Sequence, residues 1–235
     1  MNSAQASEPA RGQSISAEPE AASSNTAALF PAFLKLAGRK CLVVGAGQVG
    51  QSKIEGLLST GAKITLVSPR ATDAVRSWAQ AGKLVWHVRR FDPADLNGVF
   101  LAVVSTCSPL LNEWIFQEAR RQGVLCNVVD DPAHCDFYYP AVVRRGALQI
   151  AISTDGKSPA LAQRLRKQLE KDFDPAYASW VEYLGNVRQQ LFEQPMDPEE
   201  RRKLLHDMAS ATSYETFARR RDQPSERPPS LEDPS

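Results

Sequence analysis

Arg39 to Lys53 reads RKCLVVGAGQVGQSK, and the fold follows from this stretch. Cys41 to Val44 is a short apolar run, the pattern of a buried strand. Gly45, Gly47 and Gly50 follow directly in the spacing G-x-G-x-x-G. Gln51 to Leu58 then predicts a helix, with Ile54, Leu57 and Leu58 on one side. A lone glycine triplet is weak evidence, but a triplet between a strand and a helix is the dinucleotide-binding fingerprint. Gly45 permits the tight turn, Gly47 lets backbone approach a pyrophosphate, and Gly50 lets the helix pack closely on the strand. The helix N-terminus adds free N–H groups and a partial positive charge for phosphates.

The pattern continues outward. On the N-terminal side, Phe30, Phe33, Leu34 and Leu36 are expected to pack beside the first strand, and Gly38 to turn into it. Lys63 to Val67 predicts a second strand, stopped by Ser68-Pro69. A Rossmann unit that binds NAD usually carries an acid about 20 residues past the glycines, for the ribose 2′-hydroxyl. Ser68, Pro69 and Arg70 stand there instead. The Ser68 hydroxyl suits a ribose, and Arg70 suits either an NADP 2′-phosphate or solvent, so spacing alone leaves the cofactor open. Asp73 to Gln80 predicts a helix, and Lys83 to Arg89 a strand with Leu84, Trp86 and Val88 on one face. Val99 to Val104 reads as a buried parallel strand. Pro109 to Arg121 predicts a helix with Leu111, Trp114, Ile115 and Glu118 at helical spacing, and Val124 to Val129 the next strand. The alternation indicates an α/β fold with a doubly wound parallel sheet. Ligands bind beyond the carboxyl ends of such strands, which here carry Gly45, Ser68, Ser105-Thr106 and Asp130-Asp131.

Beyond Tyr139-Pro140 the pattern changes. Ala141 to Arg145 and Ala147 to Ser153 predict a β-hairpin turning at Gly146. Ser158 as N-cap and Pro159 announce a helix with Leu161, Leu165 and Leu169 on one face. Asp174-Pro175 opens a second helix, striped by Tyr177, Trp180, Val181, Leu184, Val187 and Leu191. Asp197-Pro198 opens a third, with Glu200 at capping-box spacing. The domain reading is therefore residues 29–140 as the Rossmann unit, 141–173 as a hairpin-plus-helix dimerisation region and 174–213 as a helical region. Residues 1–28 and 214–235 read as disordered tails. The N-terminal tail has neither the apolar core of a secretory signal nor the basic bias of a transit peptide.

Lys plus Arg is 28 against 27 Asp plus Glu, so no global field points to nucleic acid or a membrane. No apolar run approaches the ~20 residues of a membrane span. Cys41, Cys107, Cys126 and Cys135 form no C-x-x-C pair, which suits a reducing cytoplasm. His134-Cys135 is a poor zinc signature, and no metal site is expected.

Phe30-Pro31, LAGRKCLVVGAGQVGQSK, CNVVDDP at Cys126 to Pro132, and AISTDGKSPALAQRLRKQLE at Ala151 to Glu170 together resemble the precorrin-2 dehydrogenase family, the dehydrogenase–ferrochelatase module of siroheme synthase. The resemblance spans about Leu29 to Ala211, with no stretch matching the methyltransferase domain fused to this module in some members. It implies oxidation of precorrin-2 to sirohydrochlorin with NAD as cofactor, and less securely insertion of Fe²⁺, as a substrate, into sirohydrochlorin. Carried over by residue, it places Gln48 and Val49 on the cofactor with the glycines, and Pro69 and Arg70 beside its adenosine end. It also implies a homodimer built through the region after Pro140, with the site in the cleft between the parts.

The family's key acid matches Asp130. Removing a hydride from carbon and a proton from a neighbour needs a base near the nicotinamide, and Asp130 ends a central strand on that side. Asp131 is the runner-up, and a loop cap before Pro132 is the plain structural reading. Thr106 is assigned to the cofactor, and Asn127, Arg144, Thr154 and Lys157 to the tetrapyrrole, whose many carboxylates call for basic and hydrogen-bonding partners. Lys157 precedes a helix N-terminus suited to anions; Arg145, Arg164 and Arg166 suit a solvated face equally well. Two other functions fit a dinucleotide fold. An NAD-binding sensor domain would need an output element, and none stands out. A dehydrogenase of another small metabolite would usually carry a catalytic His, Lys or Tyr near the sheet, and His87, His134 and His206 are poorly placed.

Overall fold

Five strands build a parallel sheet: β1 (Lys40–Ala46), β2 (Lys63–Ala71), β3 (Val85–His87), β4 (Leu101–Val104) and β5 (Leu125–Val128). The computed structural model of the chain describes residues 28–222. The spatial order is β3-β2-β1-β4-β5. Helices α1 (Gln48–Leu58), α2 (Asp73–Gln80) and α3 (Pro109–Arg121) connect them. Cys41, Val43, Leu66 and Val103 pack with Ile54 and Leu57 of α1 and Val75 of α2 on one face of the sheet. Leu42, Val44, Ala102, Val104 and Val128 pack with Ile115, Phe116 and Ala119 of α3 on the other. Both faces are covered, so the central strands read as continuous apolar runs. The strand order reverses between β1 and β4, where doubly wound sheets open a crevice for ligands.

Several expectations need correction. β2 does not stop at Ser68-Pro69 but runs to Ala71. Its register with β1 shifts between Val44 and Ala46, and Pro69 lies in that irregularity, where its missing N–H breaks no regular ladder. α1 begins at Gln48, three residues early, with Gly47 as its N-cap. β3 is only three residues long, and Val88 is exposed. On α3 the buried set is Ile115, Phe116 and Ala119, while Trp114 is exposed and meets Phe91 edge-on at 5.5 Å. Of the residues expected beside β1, Leu36 is buried, but Phe30, Phe33 and Leu34 are exposed.

The second region opens with the antiparallel hairpin β6 (Ala141–Arg145) and β7 (Leu148–Ile152), turning at Gly146 with φ +58°. A Cβ at Gly146 would sit 3.1 Å from Ala178, so the turn packs closely on the helix beyond. Helices α4 (Pro159–Asp172), α5 (Ala176–Glu193), α6 (Pro198–Met208) and α7 (Ala211–Asp222) follow. Their starts are capped as the residue types dictate. Ser158 accepts from the Leu161 amide, Asp174 from Ala176, and Asp197 from Glu199 and Glu200. On α4 the buried residue is Ala162, and Leu161 is exposed.

The chain does not become a tail after Ser213, because α7 continues to Asp222. Tyr214 stacks on Tyr177 with ring centroids 4.2 Å apart, and Phe217 lies 5.0 Å from Trp180. Two aromatics three residues apart give a charged segment one apolar stripe, enough to dock it. The expected tails at residues 1–27 and 223–235 lie outside the described residues. Among those described, no helix is long and apolar enough to cross a membrane.

Candidate functional site

The glycine loop is shaped by close backbone approach. Gly45 has φ +96°, and a Cβ there would lie 2.5 Å from the Ser105 carbonyl oxygen. At Gly50 a Cβ would lie 2.3 Å from the Gly45 carbonyl oxygen. Ser105 completes the crossing from β4: its amide donates to Val44 O at 2.8 Å and its hydroxyl to Gly45 O at 3.1 Å. Gly47 differs, since a Cβ there would meet nothing within 4 Å. It faces open space at the N-terminus of α1, which no side chain caps. The first-turn amides of a helix lack intrahelical acceptors and attract anions. These residues therefore fit a dinucleotide pyrophosphate: a glycine turn, helix N-terminal amides that no side chain caps, and open space at Gly47.

Two strands away β5, expected as a central strand, is the edge of the sheet, and it ends in a strained turn. Val129 donates to Val104 O at 2.9 Å, and Asp130 then adopts φ +62°, a conformation that Asp tolerates better than most residues. The Asp130 side chain is exposed and, among the described residues, takes no hydrogen bond or ion pair, so it caps nothing. Asp131 is committed elsewhere, its carboxylate 2.7 Å from His134 Nδ1. The segment that follows is zipped back onto β5. Asn127 Nδ2 donates to Phe137 O at 2.8 Å, Cys135 Sγ to the Val128 and Asp131 carbonyls, and the Cys126 amide to the Asp136 carboxylate. That clamp fixes the turn from which Asp130 projects.

Lys53 of α1 reaches the same place. Its Nζ lies 3.9 Å from the centre of the Tyr139 ring. Burial lowers the Lys53 pKa, while the charge of Asp130 acts to raise it. Burial also pushes the Tyr139 phenol well above its ordinary range. Tyr139 in turn lines a cleft of about 200 Å³, with Tyr138, Pro140, Thr154, Pro159 and Gln163 among its other walls.

The comparisons with known proteins agree with this geometry. A family model for NAD(P)-binding matches residues 32–141, and one for the central part of sirohaem biosynthesis proteins matches 145–172. The siroheme synthase of Photorhabdus laumondii is 35% identical over 173 residues, covering 74% of this chain and 37% of the relative. That of Nitrosococcus oceani is 34% identical over 162 residues, 69% of this chain and 35% of the relative. The solved structure of SirC, a precorrin-2 dehydrogenase, superposes with a TM-score of 0.72 at 27% identity, covering 82% of this chain and 96% of that one. Over both matched stretches the chain is similar to the sirohaem biosynthesis family. Its first half is the family's NAD(P)-binding domain. The chain spans little more than a third of the length of the curated siroheme synthases that it matches.

Within this family frame, the expected residues divide. Gly45, Gly47, Gln48, Val49 and Gly50 form the cradle, with Val49 exposed at its mouth. Pro69 and Arg70 are exposed at the end of β2, whereas Ser68 is buried and its hydroxyl donates to Arg70 O at 2.6 Å. Thr106 is tied into the start of α3, donating to Asn112 Oδ1 at 2.6 Å. Asn127 needs correction as a residue displayed to substrate: it is 5% exposed, and its amide nitrogen holds the return segment. Thr154 lines the cleft, and its hydroxyl accepts from the Ser158 amide at 3.1 Å. Arg144 and Lys157 are both exposed. Arg145 is engaged at the end of α4, donating to the Phe173 and Glu170 carbonyls, and Arg166 pairs with Glu170. Lys53 and Tyr139 were missed as site residues. The available signal was a lysine on the sheet-facing side of α1, in step with Gly50, Ile54 and Leu57.

Proposed function

We propose that the protein oxidises precorrin-2 to sirohydrochlorin, with NAD as hydride acceptor. The observation that carries this reading is a carboxylate without a hydrogen bond or ion pair, Asp130, at the end of the strand two places from the glycine turn. The family match supplies the substrate class. Gly45, Gly47 and Gly50 with the first amides of α1 would hold the pyrophosphate, and Pro69 and Arg70 would lie beside the adenosine. A bound nicotinamide supplies one thing, a place for the hydride. Asp130 takes the proton that leaves as the substrate carbon is oxidised, so the products are sirohydrochlorin, NADH and a proton. Asp131 is less suited, since His134 already holds its carboxylate. Thr154 at the cleft wall, with Arg144 and Lys157 on the exposed hairpin and helix start, would bind the substrate's carboxylates. The same Asp130 would accept pyrrole protons during Fe²⁺ insertion. The region after Pro140 would join two copies into a homodimer.

Purified protein mixed with anaerobic precorrin-2 and NAD should form NADH, read at its near-ultraviolet absorbance. No NADH with either NAD or NADP would refute the reading. Calorimetric titration should show tighter binding of NAD than of NADP. Adding Fe²⁺ or Co²⁺ to the product tests the insertion step, by the change in tetrapyrrole absorption. Light scattering at micromolar concentration should report a dimer.

A further inference from the structure

The fingerprint helix carries a charge that the glycine motif does not require. Lys53 stands on the side of α1 that Gly50, Ile54 and Leu57 bury against the sheet. Its side chain runs from the nucleotide-binding helix to the ring of Tyr139, with Nζ 3.9 Å from the ring centre. Tyr139 is a wall of the cleft. From the segment after β5, the Tyr139 ring lies against the Lys53 ammonium, and the Asp130 carboxylate acts on its charge from beyond ion-pair distance. One cation thus ties the cofactor helix to the cleft wall within electrostatic reach of Asp130. A solvated surface lysine would do none of this, and half-burial of an ammonium is unfavourable unless aromatic and anionic groups offset it.

We propose that Lys53 is a positioning residue for the oxidation: its ammonium, seated on Tyr139 and within electrostatic reach of Asp130, keeps the cleft wall in register with the cofactor helix and biases where the base points. This rests on the proposed function and deepens it. Asp130 sits on an exposed, strained turn without a hydrogen bond of its own, so a fixed cation within electrostatic reach limits where the carboxylate can point. Small misplacements of a catalytic group lower kcat steeply. The N-terminus of α1 lies more than a turn away from Lys53, so NAD binding should not depend on it.

The first test needs neither cofactor nor substrate. In lysine-labelled protein followed by NMR, Lys53 should titrate below the ordinary lysine value, and further below in Asp130→Asn, which removes a charge that raises it. Its ε-methylene protons should show a ring-current shift that Tyr139→Leu abolishes. A Lys53 titration unchanged by Asp130→Asn would overturn the inference. The second test is kinetic. Lys53→Met should lower kcat about tenfold and leave NAD affinity within about twofold, and Lys53→Arg should recover most of the loss. Lys53→Met as active as the wild type, Lys53→Arg as impaired as Lys53→Met, or a loss confined to NAD affinity would each overturn it. A wild-type protein that makes no NADH would instead refute the proposed function, while the titration still reads the effect of Asp130 on Lys53.

Discussion

The Rossmann half and the half after Pro140 are held together by different physics. In the first, twelve apolar residues on each face of the sheet form buried clusters, with Leu42, Ile54, Leu66 and Ile115 wholly inaccessible. In the second, the buried apolar residues among those described are Val143, Ala162, Ala176 and Trp180, and order comes from caps and ring stacking. The first half can therefore carry a strained, exposed turn at Asp130 on a rigid base. The second supplies a cleft wall that rests on fewer buried groups. A site made across the two combines a fixed cofactor edge with a more yielding substrate side.

The largest expected effect falls where the halves meet. Asp130→Asn should lower dehydrogenation by ~10²-fold or more, the usual worth of a placed general base, while NAD binding and thermal stability persist. Asp131→Asn should do much less. Loss of NAD binding or of thermal stability in Asp130→Asn would instead make the turn structural and erase the functional contrast between the halves.

Next come substitutions that should break one half only. Gly47→Val puts a branched side chain into the open cradle and should abolish NAD binding by calorimetry without unfolding the protein, since nothing lies within 4 Å of its Cβ. Gly45→Ala differs: its Cβ would meet the Ser105 carbonyl at 2.5 Å on a backbone with φ +96°, so stability should fall by roughly 2–3 kcal/mol in urea denaturation. Two glycines of one motif should thus separate, one affecting binding and the other folding.

Phe217→Ala tests the second half. It removes the ring beside Trp180 and Tyr183 and should cost about 2 kcal/mol locally, seen as faster hydrogen exchange in α7. Exchange in β1 and β4 should not change. Uniform acceleration across the chain would show that the halves unfold as one unit.

The smallest effect is electrostatic. Hydrogen bonds from Arg121 and then Gln122 hold the Glu118 carboxyl down at about 2, from an ordinary 4.5. A depressed carboxyl stabilises the fold above pH 4.5, and that contribution disappears as pH falls through 2. Glu118→Gln should therefore flatten the acid-unfolding curve slightly between those values, and added salt should shrink the difference, because the pair is at the surface.

How much was legible follows the same division. The buried strands, the glycine turn and α3's limits were readable, because a sheet covered on both faces imposes long apolar runs and G-x-G-x-x-G has one mechanical use between a strand and a helix. The face of α3 was misread in part: Leu111 and Ile115 do pack on the sheet, but Phe116 and Ala119 complete that face, and Trp114, which fits the same helical stripe, is exposed. The helix at Ala211–Asp222 was missed because Arg219, Arg220 and Arg221 mask two aromatics whose partners, Tyr177 and Trp180, lie over thirty residues upstream.

By itself the sequence determined the doubly wound order, the cradle and the carboxylate at the end of β5, because each depends on local spacing and short-range sterics. Only the tertiary structure decided that Asn127 faces inward to clamp the return segment, that Asp131 belongs to His134 while Asp130 stands free, and that Lys53 meets Tyr139. Those outcomes depend on which side chains the folded backbone brings within 4 Å of one another; Asn127 and Asp131 find their partners through the irregular path of a loop, and Lys53 through a residue 86 positions away, and neither leaves a periodic trace in the chain.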